Sequence, residues 1–207
     1  MDCGTGGFEL PDYQIIQFPD SRARVRVIAG TLKGRRLNTP TWDGLRPTSD
    51  KLRETLFNIL ASRIAGARVL DAYAGTGAVG IEALSRGAAA VTFIESDKRA
   101  QALITGNLRH CGVENGYVII RASVGRALAR LRKSGALFDV VLLDPPYDAR
   151  VDDEALALAD VVAPDGVVVL ERARRRPSPE SFGRLMRSRD VVSGDSALTF
   201  YTLPSTG

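Results

Sequence analysis

The 207-residue chain holds little of what metal or redox chemistry needs, with one histidine and two cysteines. Cys3 and Cys111 stand in unrelated contexts, so neither a disulfide framework nor a zinc site is expected. His110, next to Cys111, reads as structural, and no metal is expected. No apolar run approaches the roughly 20 residues of a membrane span. The first residues also lack a basic stretch leading into a hydrophobic core, which makes a cytoplasmic protein with no membrane partner the expectation. Acidic residues are outnumbered, 24 against 28 Lys and Arg, for a net charge of +4. Such a balance suits a polyanionic partner without establishing one. The rest is ordinary for one globular α/β domain, with 44% hydrophobic and 25% charged residues.

Three stretches differ in pattern. Residues 1–23 form an N-terminal extension with no clear period. Residues 24–62 begin with Val25, Val27 and Ala29 alternating with their neighbours, then a turn from Gly30 to Gly34 and Arg35-Arg36-Leu37. This predicts a β-hairpin with a basic rim. Ser49 is placed to cap a helix over 50–62, whose Leu52, Leu56, Ile59 and Leu60 share one face. From 63 to 207 strands alternate with helices. Strands are expected at Arg68–Asp71, Ala90–Glu95, Tyr117–Arg121, Asp139–Leu143 and Val167–Glu171. Helices are expected at Ala78–Ser85, Asp97–Arg109, Val124–Lys133 and Asp153–Val162. That order implies an α/β fold with a doubly wound, mostly parallel sheet. Pro179–Arg187 reads as a helix, and Gly194-Asp195-Ser196 as the turn of a C-terminal antiparallel hairpin.

The first strand of the alternating unit ends in Asp71 and runs into a loop where Gly75, Gly77 and Gly80 match G-x-G-x-x-G. Glycines let the main chain turn sharply and approach a ligand closely. The motif alone also serves dinucleotide oxidoreductases. Asp71, just before the glycines, would repel a pyrophosphate but attract the positive amino-acid part of S-adenosyl-L-methionine. Glu95, ending the second strand, can accept both ribose hydroxyls, in either kind of cofactor. Tyr73, inside the loop, either lines the cofactor pocket or simply packs.

Asp144-Pro145-Pro146-Tyr147 follows the fourth strand of that unit. The prolines fix φ, remove two N–H donors and hold Asp144 extended. What remains is a stiff ledge carrying a carboxylate, carbonyls and a ring. An aromatic amino group needs that set, because its lone pair is delocalised and acceptors must hold its N–H bonds while a methyl arrives. Tyr147 can stack on a base that has left its own stack.

With both motifs placed, the chain resembles the Rossmann-type amino-methyltransferases, and more narrowly the RsmD family. The likeness runs from about Arg24 to Leu203. It includes Arg26-Val-Ile-Ala-Gly30, Gly34-Arg-Arg-Leu37, Arg46-Pro-Thr-Ser-Asp-Lys-Leu-Arg-Glu-Thr-Leu-Phe-Asn58, Glu82-Ala-Leu-Ser-Arg-Gly87 and Glu95-Ser-Asp97. It implies methylation of a guanine N2 amino group in 16S ribosomal RNA, free or in the assembled small subunit, with S-adenosyl-L-methionine as cofactor. It also implies cofactor contacts at Asp71, Gly75, Gly77 and Glu95, with the catalytic ledge at Asp144 to Tyr147. Arg46 to Thr48 and the helix carrying Arg53 would close the pocket. Many relatives outside the family hold the adenine with an aspartate after the third strand; here Ser123, or backbone, would serve. A monomer is expected.

Lys33, Arg35 and Arg36, followed by Arg46 and Arg53, are expected to meet RNA phosphates. The second basic run, Arg172 with Arg174-Arg-Arg176, reads as a flexible solvated loop. A DNA or RNA adenine-N6 methyltransferase would use the same ledge. An NAD-dependent oxidoreductase would use the glycine loop but has no role for Asp144 to Tyr147. A non-catalytic RNA-binding protein would leave Asp144 and Glu95 unexplained.

Overall fold

The computed structural model describes residues 25–42, 49–145 and 157–204. The extension over 1–23, Arg46, Thr48, Pro146, Tyr147 and the first part of the helix expected over Asp153–Val162 lie outside them. Strands β1 (Val25–Arg26) and β2 (Arg36–Leu37) form the expected antiparallel hairpin. Ser49 caps α1 (Asp50–Ile59), its hydroxyl accepting the Leu52 N–H at 3.2 Å. That helix stops short of residue 62. The Arg63 N–H reaches back only three residues, to the Leu60 carbonyl, which tightens the chain into a separate turn, α2 (Ala61–Ile64).

Parallel strands β3 (Arg68–Asp71), β4 (Ala90–Glu95), β5 (Tyr117–Arg121), β6 (Phe138–Leu143) and β7 (Val162–Ala173) follow. Helices α3 (Ala78–Ser85), α4 (Lys98–His110) and α5 (Val124–Lys133) carry the chain back between them. Alternate strand residues divide between two cores. Val69, Val91, Phe93, Val140 and Val169 pack with α1, α3, α4 and the hairpin. Leu70, Ile94, Val141 and Val168 pack with α5 and with Leu158 and Ala159. A period of two with helices on both faces is the doubly wound arrangement.

The largest departure lies at the end. The helix expected over Pro179–Arg187 is instead β8 (Ser181–Phe182) and the start of β9 (Leu185–Ser193). Gly183, at φ 62°, opens a two-residue turn that pairs Phe182 with Leu185 and buries both. Gly194-Asp195 makes a second such turn into β10 (Ser196–Thr202), which inserts antiparallel between β7 and β9. The sheet therefore has eight strands, ordered β5-β4-β3-β6-β7-β10-β9-β8. Its winding reverses between β3 and β6. In open α/β sheets ligands bind outside the carboxyl ends of the strands at such a switch point.

Candidate active site

Asp71 ends β3 beside the switch point and is only 5% exposed. Its carboxylate accepts the Gly80 N–H at 3.0 Å. Burial pushes its carboxyl up to about 7; the Gly80 bond opposes that shift, and the nearby carboxylates of Asp144 and Glu95 add to it. Three acids thus share one small region. Glu95 is held by two backbone donors, Gly75 N–H at 3.0 Å on Oε2 and Asp97 N–H at 2.8 Å on Oε1. Among the described residues each oxygen receives one donor, so the carboxylate is oriented and can still accept from hydroxyls.

The glycines are required for distinct reasons. Gly77 has φ 76°, and a Cβ there would lie 3.3 Å from the Ile104 side chain on α4. A Cβ on Gly80 would come within 2.2 Å of the Phe93 ring, so this glycine lets α3 seat against the sheet. The loop is fixed from outside as well. Asn107, fully buried on α4, donates to the Thr76 carbonyl at 2.9 Å. It also pairs with the Asn38 backbone, donating at 3.1 Å and accepting at 2.8 Å. From Asn38 the chain continues along α4 to Trp42, whose ring lies 4.8 Å from the Arg99 guanidinium. Arg99 in turn binds Asp97, which brings Trp42 beside the Glu95 end of the loop.

Sequence reasoning gave no role to Glu82, Ser85 or Asn107. Glu82, fully buried on α3, accepts the Ile28 and Ala29 N–H groups at 2.7 and 3.0 Å and the Arg86 Nε at 2.7 Å. Ser85 takes the Leu32 N–H at 2.9 Å. The hairpin is therefore bolted to the helix that starts at the glycine loop. A signal was present: Glu82 is the single charge in an otherwise apolar helix, and a carboxylate buried there must be paired.

Arg53 corrects an expectation. It was expected to touch RNA, yet its side chain is 0% exposed. It donates to the Arg26 carbonyl and to Asp50, each at 2.7 Å, and so ties α1 to the hairpin. Among the described residues its Nε and Nη1 have no partner. Burial lowers its pKa, while Asp50 and Glu82 act the other way. Lys33, Arg35 and Arg36 are exposed, but the hairpin turn binds Ser85, the last residue of α3. At 1.5 Å per residue that is about 10 Å down the helix from the glycine loop.

Asp144 and Pro145 directly follow β6, at the edge that carries Asp71, with Asp144 exposed and Pro145 half-buried. Tyr73 is half-buried against the α5-side core. Ser123 precedes α5 at the end of β5, exposed, with no capping bond from its hydroxyl. Among the described residues no group of three or more His, Cys, Asp or Glu could hold a metal ion. None of their helices is long and apolar enough to cross a membrane.

The family described as conserved hypothetical protein 95 matches residues 25–202, and the chain belongs to it. The chain is 37% identical over 186 residues to ribosomal RNA small subunit methyltransferase D of Haemophilus influenzae, covering 86% of this chain and 95% of that one. The Escherichia coli K12 protein of the same name is 34% identical over 187 residues, covering 89% and 92%. A solved structure of a hypothetical protein from Thermus thermophilus matches with TM-score 0.75 and 30% identity over 86% of this chain and 99% of that one. The likeness to the RsmD family read from the motifs is thus membership.

Proposed function

We propose that the protein transfers a methyl group from S-adenosyl-L-methionine to the exocyclic N2 amino group of a guanine in small-subunit (16S) ribosomal RNA. The observation that carries the reading is the meeting of Asp71, Glu95 and Asp144 at one switch point. A buried carboxyl made less acidic by burial and two like charges favours a cation and opposes a pyrophosphate. S-adenosylmethionine carries an ammonium and a sulfonium, so the residues fit it better than a nicotinamide dinucleotide. The RNA class comes from the names of the relatives.

The cofactor supplies an electrophilic methyl; this chain binds, orients and excludes. Asp71 is assigned to the ammonium and Glu95 to the ribose hydroxyls, with Gly75 and Gly77 admitting the ligand close to the main chain. Tyr73, Ser123 and Thr48 complete that pocket. Asp144 and the Pro145 carbonyl accept the N–H bonds of the target amino group and offset the positive charge that grows on nitrogen. Pro146 stiffens the ledge, and Tyr147 stacks on the extruded base. Lys33, Arg35, Arg36 and Arg46 hold RNA phosphates. In this division residues 24–62 engage RNA and close the pocket, and 63–207 perform catalysis. The protein acts as a cytoplasmic monomer on free RNA or the assembled subunit.

The test incubates purified protein with methyl-labelled cofactor and either naked 16S RNA or assembled small subunits, followed by nucleoside mass spectrometry. N2-methylguanosine is expected. N6-methyladenosine would move the activity to the adenine reading, and no labelled nucleoside from either substrate would end the proposal.

A further inference from the structure

We propose that Arg174, Arg175 and Arg176 form a fixed phosphate-binding turn that holds the RNA strand where it meets the catalytic ledge; this rests on the RNA reading above. Their placement follows from the sheet. Leu170 of β7 pairs with Leu143 of β6, so β7 runs on past the level of Asp144 and ends at Ala173. The three arginines come next, beyond the end of the strand beside the ledge; the register sets Glu171 level with Asp144, so Arg174 follows three residues on, about 10 Å farther at about 3.3 Å per residue. Neighbouring strands lie about 4.8 Å apart.

The turn is not the loose loop that its composition suggests. The Arg174 N–H donates to the Asp195 carbonyl at 2.7 Å, and the Arg176 N–H to the Ala173 carbonyl at 3.0 Å. The Arg172 guanidinium reaches the Arg176 carbonyl, Asp190 and Thr199 together. Farther along, Arg187 binds the Ser178 carbonyl at 3.2 Å, and the Tyr201 hydroxyl binds the Pro179 carbonyl at 3.2 Å. Side-chain and backbone groups thus fix the main chain of a turn from which three adjacent arginine side chains project.

Those charges are unbalanced. Elsewhere on this part of the sheet Arg172 pairs with Asp190 and Arg184 with Asp160. Arg174, Arg175 and Arg176 are exposed, and among the described residues none has an acidic partner. Holding three guanidinium groups together costs repulsion that a chain of phosphodiesters relieves, and their planar forks match phosphate oxygens.

The test replaces all three with Gln in the full chain. A charge-matched control carries Arg109→Gln, Arg130→Gln and Lys133→Gln, exposed residues in the last turns of α4 and α5, at the opposite edge. Affinity for 16S RNA is measured against salt, with S-adenosylhomocysteine binding and methylation alongside. The turn variant is expected to bind RNA more than tenfold more weakly at physiological salt, with the slope of log affinity against log salt falling by about 2, at roughly 0.7 per single-strand phosphate. Its cofactor affinity should not change, and the control should change RNA binding far less. Equal losses in the two variants, or a turn variant with wild-type slope, overturn the inference. A wild-type protein that binds RNA yet methylates none overturns the function instead, and the binding comparison still decides the turn.

Discussion

The edge of the sheet at the carboxyl ends of its parallel strands changes sign across the switch point. On one side β3 and β4 present Asp71, Glu95 and the capping residue Asp97; on the other, β7 passes Glu171 and an Arg172 already paired with Asp190 and leads into Arg174 to Arg176, with Asp144 between. The acidic side is built from backbone. Glycine N–H groups hold its carboxylates, the Phe93 ring leaves no room for a side chain at Gly80, Gly77 takes a left-handed backbone close against Ile104, and Asp71 is buried. The basic side is built from exposed side chains on a pinned turn. A small cation of fixed shape suits the first construction and a long polyanion the second. Exposed charges act over a Debye length of about 8 Å at physiological salt, whereas buried ones are screened much less. Cofactor binding should therefore vary little with salt and RNA binding steeply; matched titrations at low and high salt would erase the contrast if both fell alike.

The largest effect is expected where the two sides meet. Asp144→Ala should slow single-turnover methylation at saturating cofactor by two to three decades, about 3–4 kcal/mol of positioning and electrostatics. S-adenosylhomocysteine affinity should stay near wild type. A variant within a few-fold of wild type removes the ledge from the mechanism.

Asp71→Asn tests the acidic side alone. Asn keeps an acceptor for Gly80 but loses the charge, so cofactor affinity should drop roughly tenfold to a hundredfold, as for a charge-assisted bond of about 1.5–3 kcal/mol. The free protein should respond in the opposite direction. Asp71 titrates near 7 when folded but near 3.9 unfolded, so ionising it costs the folded state stability as pH rises from about 4 to 7. That loss should be absent from Asp71→Asn, which therefore gains on wild type in melting temperature across this window. Cofactor binding near pH 6 should release a proton in wild type only, readable by calorimetry in buffers of different ionisation enthalpy. Parallel melting curves at every pH would refute the assignment.

Glu82→Gln examines the bolt between the hairpin and the acidic side. Its new amide must face a backbone N–H, leaving a buried donor unpaired at about 1–3 kcal/mol. At about 2–4 °C per kcal/mol for a domain of this size, thermal melting should fall by several degrees. A melting point equal to wild type would mean that the hairpin is held by packing alone.

The two sides also differed in legibility. From β3 to α5 the apolar period switches cleanly, with glycines after β3, α3 and α4 and the N-cap residues Asp97 and Ser123 before α4 and α5, so the elements there fall where the pattern puts them. In the meander, Phe182 and Leu185 sit three apart, a helical spacing, and only the Gly183 turn converts it into a hairpin. Asp71, Gly75, Gly77 and Glu95 could be grouped because one short loop joins them. Arg53 could not be separated from the exposed arginines, since its burial depends on the Arg26 carbonyl 27 residues away. The same holds for Arg172, whose partners Asp190 and Thr199 come from strands whose pairing composition does not reveal.

The smallest effect is expected from the hairpin, and it sharpens the contrast within the basic residues themselves. The hairpin turn that carries Lys33 binds the far end of α3, and Arg35 acts on Cys111 at the far end of α4, while Arg174 to Arg176 follow the end of β7 at the opposite edge. Cations remote from the ledge can add to RNA affinity but cannot orient the base. Arg35→Glu with Arg36→Glu should lower the salt slope by roughly 0.7–0.9 for each phosphate no longer neutralised. The rate at saturating RNA should then match wild type, because the ledge and cofactor pocket are untouched. The arginine-turn variant should differ, losing affinity and also some rate, since a strand less firmly held beside Asp144 spends less time aligned with it. Single-turnover rates across an RNA titration separate the two behaviours. A hairpin variant slow even at saturating RNA would place its arginines in the reacting complex and abolish the distinction between near and remote cations.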